Sequence, residues 1–190
     1  MWWRNLRQWQ ALAWPARLAV VLAAAGLTAG CWQPLYGARP GPGGEGVQDK
    51  FAAVDIPPIG APKGTPTERV AIGMRNALQF DLHNGGSPAP PIYALKVTVS
   101  STQFTAYIDP TTGRPDSQIQ IVIASYQLIE LGTGKMVLND MTIAHVDYDL
   151  PGSQQRFAGQ RARRDAEDRA IQVAADAVRN RLASYFVAGT

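Results

Sequence analysis

Tyr93-Ala94-Leu95-Lys96-Val97-Thr98-Val99 decides the fold of this chain. Its larger apolar residues recur at every second position: Tyr93, Leu95, Val97 and Val99 on one side, Lys96 and Thr98 on the other. Period two marks a strand with one face on a core. Residues 118–123 repeat the pattern, with Ile119, Ile121 and Ile123 as the apolar side against Gln118 and Gln120. The segment from Asp109 to Asp116, which holds Pro110, Gly113 and Pro115, joins these two strands. Gly132-Thr133-Gly134 predicts a tight hairpin into a further strand, about Met136 to Tyr148, which Pro151-Gly152-Ser153 breaks.

The flanks supply the rest of the architecture. Phe51 to Ile56 reads as a first strand, stopped by Pro57-Pro58. Thr65-Pro66-Thr67-Glu68 opens a helix: Thr65 caps, Pro66 fits the first helical position, and Glu68 completes a capping box. Val70, Met74, Ala77, Leu78 and Leu82 follow at helical spacing until Asn84-Gly85-Gly86 permits a left-handed stop. A long helix, about Arg161 to Phe186, closes the chain with Ile171, Ala174, Val178, Leu182 and Tyr185 as its stripe. Its charged start offers the i,i+4 pairs Arg161–Asp165, Arg164–Asp168 and Asp165–Arg169. Strand, helix, three antiparallel strands, helix gives the α+β class: a small four-stranded mixed sheet with two helices packed on one face.

The N-terminal segment has a different purpose. Arg4, Arg7 and Arg17 precede the apolar run Leu18 to Leu27, and small residues lead to Gly30-Cys31. A basic start, a short apolar core and a small-residue cleavage region read as an export signal over residues 1–30. The core is too short for a stable transmembrane helix. Leu27-Thr28-Ala29-Gly30-Cys31 resembles the lipobox of bacterial lipoproteins, departing from it at Thr28, where leucine is usual. The resemblance implies a lipidated Cys31 at the mature N-terminus. Cys31 is the only cysteine of the 190 residues, and acylation explains a lone thiol in an exported chain. Trp32, rather than the aspartate that retains lipoproteins at the inner membrane, follows it, so a lipid anchor in the outer membrane is expected. Residues 31–47, rich in Gly and Pro, read as a flexible tether, and residues 48–190 as one domain. The three leader arginines account for the whole net charge of +3, leaving 15 basic and 15 acidic residues. A neutral body gives no footing for nucleic acid as a partner.

Catalytic and metal constellations are missing from the sequence. His83 sits at a helix C-terminus, where a cation is favoured, and His145 lies in a strand. No Cys/His cluster suits zinc, and Asp147 and Asp149 lack an acidic loop for calcium. The glycines from Gly41 to Gly46 lack the Lys-Ser/Thr of a phosphate loop. No enzyme, metal or cofactor is expected beyond the covalent lipid on Cys31. Phe104, Tyr107, Tyr126, Tyr148 and Phe157 fall on strands or strand ends; most are expected in the core, with some marking an interface.

Gly30-Cys31 followed by Pro34-Leu35-Tyr36-Gly37, the helix Arg163-Arg164-Asp165-Ala166-Glu167-Asp168-Arg169-Ala170, and its end at Arg181 to Phe186 together resemble the lipopolysaccharide-assembly lipoprotein family, LptE. The order of elements between them matches as well, so the resemblance spans the mature chain. One departure is Trp32, where related sequences carry a glycine before the aromatic. The resemblance implies an outer-membrane lipoprotein that plugs the β-barrel LptD, assists its assembly and contacts lipopolysaccharide, with no catalysis. The residues themselves leave two other classes open: an auxiliary scaffold of another envelope lipid-transport system, and a periplasmic small-ligand binder. For lipopolysaccharide phosphates, Arg114, Arg156, Arg161 and Arg163 are the candidates, because antiparallel connectivity gathers their loops at one end of the sheet. Lys135 falls at the other end.

Overall fold

The computed structural model describes residues 46–86, 88–150 and 155–188, all within the unit Ala38–Thr190. Cys31, the signal segment and most of the tether lie outside the described residues. The elements in order are α1 (Val47–Ala52), β1 (Val54–Asp55), α2 (Pro66–His83), β2 (Tyr93–Ile108), β3 (Pro115–Glu130), β4 (Met136–Asp149) and α3 (Arg156–Ala188). The sheet runs β1-β2-β3-β4, with β1 parallel to β2 and the other pairs antiparallel. This is the expected α+β architecture, a four-stranded mixed sheet with helices, with one short helix added.

That added helix corrects the expected first strand. Val47 and Phe51 are four residues apart, so one helical face puts both into the core. Gln48 Nε2 donates to Leu82 O at 3.3 Å. Only Val54 and Asp55 remain extended, opposite Tyr93 and Ala94.

α2 starts and stops as its sequence dictates. Thr65 Oγ1 accepts from the Glu68 amide, Pro66 occupies the first turn, and Asn84 ends the helix at φ +53°. The capping box differs in one bond: Glu68 Oε2 accepts from Gly64 N at 2.6 Å, one residue outside the cap. α2 and α3 run side by side in the same direction. Arg69 meets Glu167 and Asp168, and a Cβ on Gly73 would lie 3.0 Å from Ile171 Cδ1. Glycine and the buried alanines Ala71, Ala77, Ala166, Ala170 and Ala174 allow this close approach.

Parity along β3 is the second correction. The structure buries Gln120, Val122, Ala124, Tyr126 and Leu128, and turns Ile119, Ile121 and Ile123 to the face away from the helices. The longer run decides, since a one-residue slip would expose Val122, Tyr126 and Leu128 together. It pairs Leu128 with Leu95, Tyr126 with Val97 and Ala124 with Val99. Gln120 is 1 % exposed, and its amide is satisfied within the sheet. It accepts from Gln103 Nε2 at 2.9 Å, and donates to Ser101 Oγ at 2.7 Å and Thr102 O at 3.2 Å.

α3 is 33 residues long, about 50 Å at 1.5 Å per residue. It begins five residues before the expected Arg161. Its buried residues begin only at Ala166, so the first turns extend beyond the core. At the opposite end, the base, Phe186 packs with Phe51, Tyr93 and Tyr185 at centroid distances of 5.9, 5.2 and 5.5 Å. Lys50 Nζ lies 5.7 Å from the same ring.

Candidate functional site

The end opposite that aromatic cluster, the tip, holds the candidate residues. The β2–β3 turn is built by Asp109, whose Oδ1 accepts from Thr111 N at 2.8 Å and whose Oδ2 accepts from Thr112 Oγ1 at 2.7 Å. These bonds hold its carboxyl below the usual carboxylate range. Asp109 N donates to Arg114 O at 2.9 Å and Gly113 N to Asp109 O at 2.8 Å, with Gly113 at φ +67°. Asp109 is thus consumed by the turn. The Arg114 side chain is exposed and makes no ion pair among the described residues.

β4 returns to this end, where Asp149 lies opposite Ser117 and Leu150 N donates to Asp116 O at 2.8 Å. α3 then begins at Arg156. Arg114, Arg156, Arg161 and Arg163 therefore all belong to segments that start or turn at the tip, and all four are exposed. Lys135 sits on the β3–β4 turn at the base. Arg163 also acts inward. Burial pushes the Tyr148 hydroxyl up, the Arg163 charge pulls it back, and Glu167 raises it again. Tyr148 OH donates to Gln118 Oε1 at 2.6 Å. With Gln103 and Gln120 it forms a polar layer between the apolar core and the tip.

The expected helix pairs form in part. Arg169 meets Asp165 at 2.9 Å. Asp168 does not pair with Arg164; it goes across to Arg69 at 3.0 Å, and Arg69 also binds Glu167. Arg161, Arg163 and Arg164 have no ion pair among the described residues. A pairing rule confined to one helix misses a competing arginine brought in by packing.

The aromatics are expected to be mostly core, and the structure corrects this: two are buried and three are exposed. Tyr126 and Tyr148 are buried, and burial with the nearby Asp140 pushes Tyr126 up to about 12. Phe104, Tyr107 and Phe157 are exposed, Phe157 at 84 %. Ile108 is exposed beside them. Phe104 belongs to a second surface, the helix-free face of the sheet. There Ile123 lies opposite Ile143, Ile121 opposite His145, and Ile119 opposite Phe104 and Asp147. Met141 extends the same face. No helix packs on it among the described residues. His83, by contrast, is half-buried at the end of α2, with Nε2 3.0 Å from Val54 O.

Among the described residues, no group of three His, Cys, Asp or Glu is arranged to hold a metal ion. No helix among them is long and apolar enough to cross a membrane.

Comparison with protein-family models and with curated proteins gives no match. Solved structures do resemble the chain. A Caulobacter crescentus protein named as a lipoprotein aligns with a TM-score of 0.57 at 19 % identity, over 75 % of this chain and 96 % of that one. Rare lipoprotein B from Shewanella oneidensis aligns at a TM-score of 0.49 and 17 % identity, over 70 % and 96 %. A minor lipoprotein from Acinetobacter baumannii aligns at 0.45 and 12 %, over 70 % and 90 %. The first of these shows that the chain shares its fold with a crystallised bacterial protein named as a lipoprotein.

Proposed function

We propose that this chain is an outer-membrane lipoprotein, anchored through a lipid on Cys31, that partners an LptD-like β-barrel and assists delivery of lipopolysaccharide. The observation that carries this reading is the open sheet face. Ile119, Ile121, Ile123, Met141 and Ile143 form an apolar surface with no helix over it, and it continues to the exposed Phe104. A contiguous apolar surface of this kind marks an interaction site. A barrel wall suits it, because the other sheet face is already filled by α2 and α3. The role is one of binding and assembly, without catalysis. Arg114, Arg156, Arg161 and Arg163 meet lipopolysaccharide phosphates at the tip, where guanidinium forks pair with phosphate oxygens.

Purification of the acylated protein in mild detergent tests the reading. The barrel should accompany the natural chain. Ile121→Glu with Ile143→Glu should abolish that association while thermal unfolding of the free protein stays close to normal. Retention of the barrel by the double variant would refute the assigned surface, and its absence from the natural preparation would refute the partnership.

A further inference from the structure

β4 is the last strand of the sheet and pairs with β3 alone. In a strand, the N–H and C=O of one residue point to the same side, and those of the next residue to the other. Leu150 N donates to Asp116 O, so even-numbered residues of β4 turn to β3 and odd-numbered ones away. The far side of the sheet gives the same parity. Tyr93 N donates to Ala53 O, which turns the odd residues of β2 outward, and the two registers carry that alternation across to β4. Ile143, His145, Asp147 and Asp149 therefore hold their N–H and C=O groups out along the edge. None of these groups has a backbone partner among the described residues.

This edge is closed at one end and open at the other. At Met141 the outward N–H is taken by Asp140 Oδ1 at 2.8 Å, and Asp140 Oδ2 is held by Arg181 at 2.9 Å. From Ile143 to Asp149 the edge carries no such cap among the described residues, which leaves about 20 Å of strand. The opposite edge of the sheet is better guarded: β1 covers the start of β2, and register shifts at Tyr107 disturb its end. Ile143, His145, Asp147 and Asp149 are all exposed. Ile143 lies opposite Ile123 on the helix-free face. Asp147 and Asp149 make no ion pair among the described residues, and β4 contains no Lys or Arg.

A row of unpaired strand groups is a template for one more strand. We propose that the β4 edge from Ile143 to Asp149 takes up an extended, basic segment of a partner protein as an added antiparallel strand. Antiparallel pairing continues the pattern of β2 to β4 and is the more stable of the two ladders. Charge decides against a second copy of this chain, whose matching edge would bring a second unpaired Asp147 and Asp149. Register sets the side chains, because directly opposite residues share a face. The residue opposite Ile143 is apolar and the one opposite Asp147 is basic, both on the helix-free face. In an antiparallel strand the cation then precedes the apolar residue by four positions. The inference uses the backbone edge and goes beyond the barrel partnership, and either can fail without the other.

Fluorescence anisotropy on the full chain in non-ionic detergent tests this. The probe is a labelled threonine peptide carrying lysine four positions before isoleucine. The natural chain should bind it. N-methylation of the lysine amide, the isoleucine amide and the amide midway between them, which face the edge, should weaken binding at least about tenfold. Methylation of the intervening amides, which face away, should leave binding within about twofold. Replacing the peptide's lysine with glutamate should weaken it about fivefold. His145→Pro removes one outward N–H without touching a bond to β3, a position where an edge strand tolerates proline. This variant should lose at least about tenfold in affinity with unchanged circular dichroism; should it fold poorly, the two methylated peptides decide alone. Equal binding of those two peptides overturns the proposal, as does equal binding of the lysine and glutamate peptides or no binding at millimolar peptide. A dimer of the natural chain that His145→Pro dissolves would make a second copy the occupant, and overturns it as well.

Discussion

The base and the tip of this molecule are made from the same strands and the same helix, yet only the base is packed. Between Tyr93 and Val99, β2 buries Ala94, Leu95, Val97 and Val99; beyond Val99 it buries nothing fully. β3 buries no residue before Gln120, and α3 none before Ala166. Of the strand residues at that level, only Val146 and Tyr148 of β4 remain buried. The Gln103–Gln120–Ser101 hydrogen bonds and the Arg69–Glu167 pair lie near the boundary. Extended backbone pairing needs no core once a neighbouring strand supplies its hydrogen bonds. The tip therefore keeps its regular structure while its side chains stay available for a partner. In this chain the packed core ends partway along elements that continue beyond it.

The sharpest way to break that contrast is to cut into the base. Phe51 is fully buried and meets the Phe186 ring at 5.9 Å. Phe51→Ala should cost about 3–5 kcal/mol, through lost burial and the cavity left behind. Denaturant unfolding of the free protein measures it. A cost below about 1 kcal/mol would mean that α1 and the end of α3 are not part of the cooperative core.

A smaller effect, of opposite sign, comes from an imperfection within the packed helix pair. Burial and the nearby Asp176 push the Asp81 carboxyl above its ordinary value, with Arg179 pulling back. Asp81 Oδ2 is buried with no hydrogen-bond partner among the described residues. A carboxyl raised on folding binds its proton more tightly in the native state. Stability therefore falls as pH rises from the ordinary carboxylate value, about 4, through the raised folded value, and the full penalty is present at pH 7. Asp81→Asn should accordingly raise Tm at pH 7, and the gain should disappear as pH is lowered through the carboxylate range. Thermal melts at several pH values decide it; a lower Tm at pH 7 would show that the attraction to Arg179 outweighs burial.

The sequence makes the base more legible than the tip, for a physical reason. Burial imposes periodicity, so α2 from Thr65 to Asn84, the alternation from Tyr93 to Val99 and the stripe from Ile171 to Leu182 could all be read directly. Residues 118–123 misled because both faces of β3 are apolar there. Isoleucines on an open face look like core isoleucines, and only the longer run through Leu128 fixes the parity. The first helix, Val47–Ala52, is not legible because it is six residues long and joins the glycine-rich stretch to the apolar run from Phe51, and period cannot separate strand from helix over so few residues. At the candidate site, connectivity placed the loops of Arg114 and Arg156 at one end. It could not reveal that Arg69 captures Glu167 and Asp168, since that contact spans 98 residues.

The smallest expected change in stability is at the tip, and there it carries the most information. Phe104 and Phe157 are exposed aromatics on different elements, β2 and the first turn of α3. Neither side chain gains much from the fold of the free protein. Phe104→Ser with Phe157→Ser should shift free-protein stability by no more than about 0.5 kcal/mol per site. If these rings serve an interface, the same double variant should lose association with the barrel, because aromatic anchors dominate binding energy. The same chemical deletion, aromatic to small, would then be severe for folding at Phe51 and silent for folding at the tip, with the order reversed for binding. Normal association would confine recognition to the sheet face, and a large loss of stability would mean that the tip is packed after all. Equilibrium unfolding and detergent co-purification on one set of samples separate these outcomes, because the first reads packing within the chain and the second reads association with the proposed barrel.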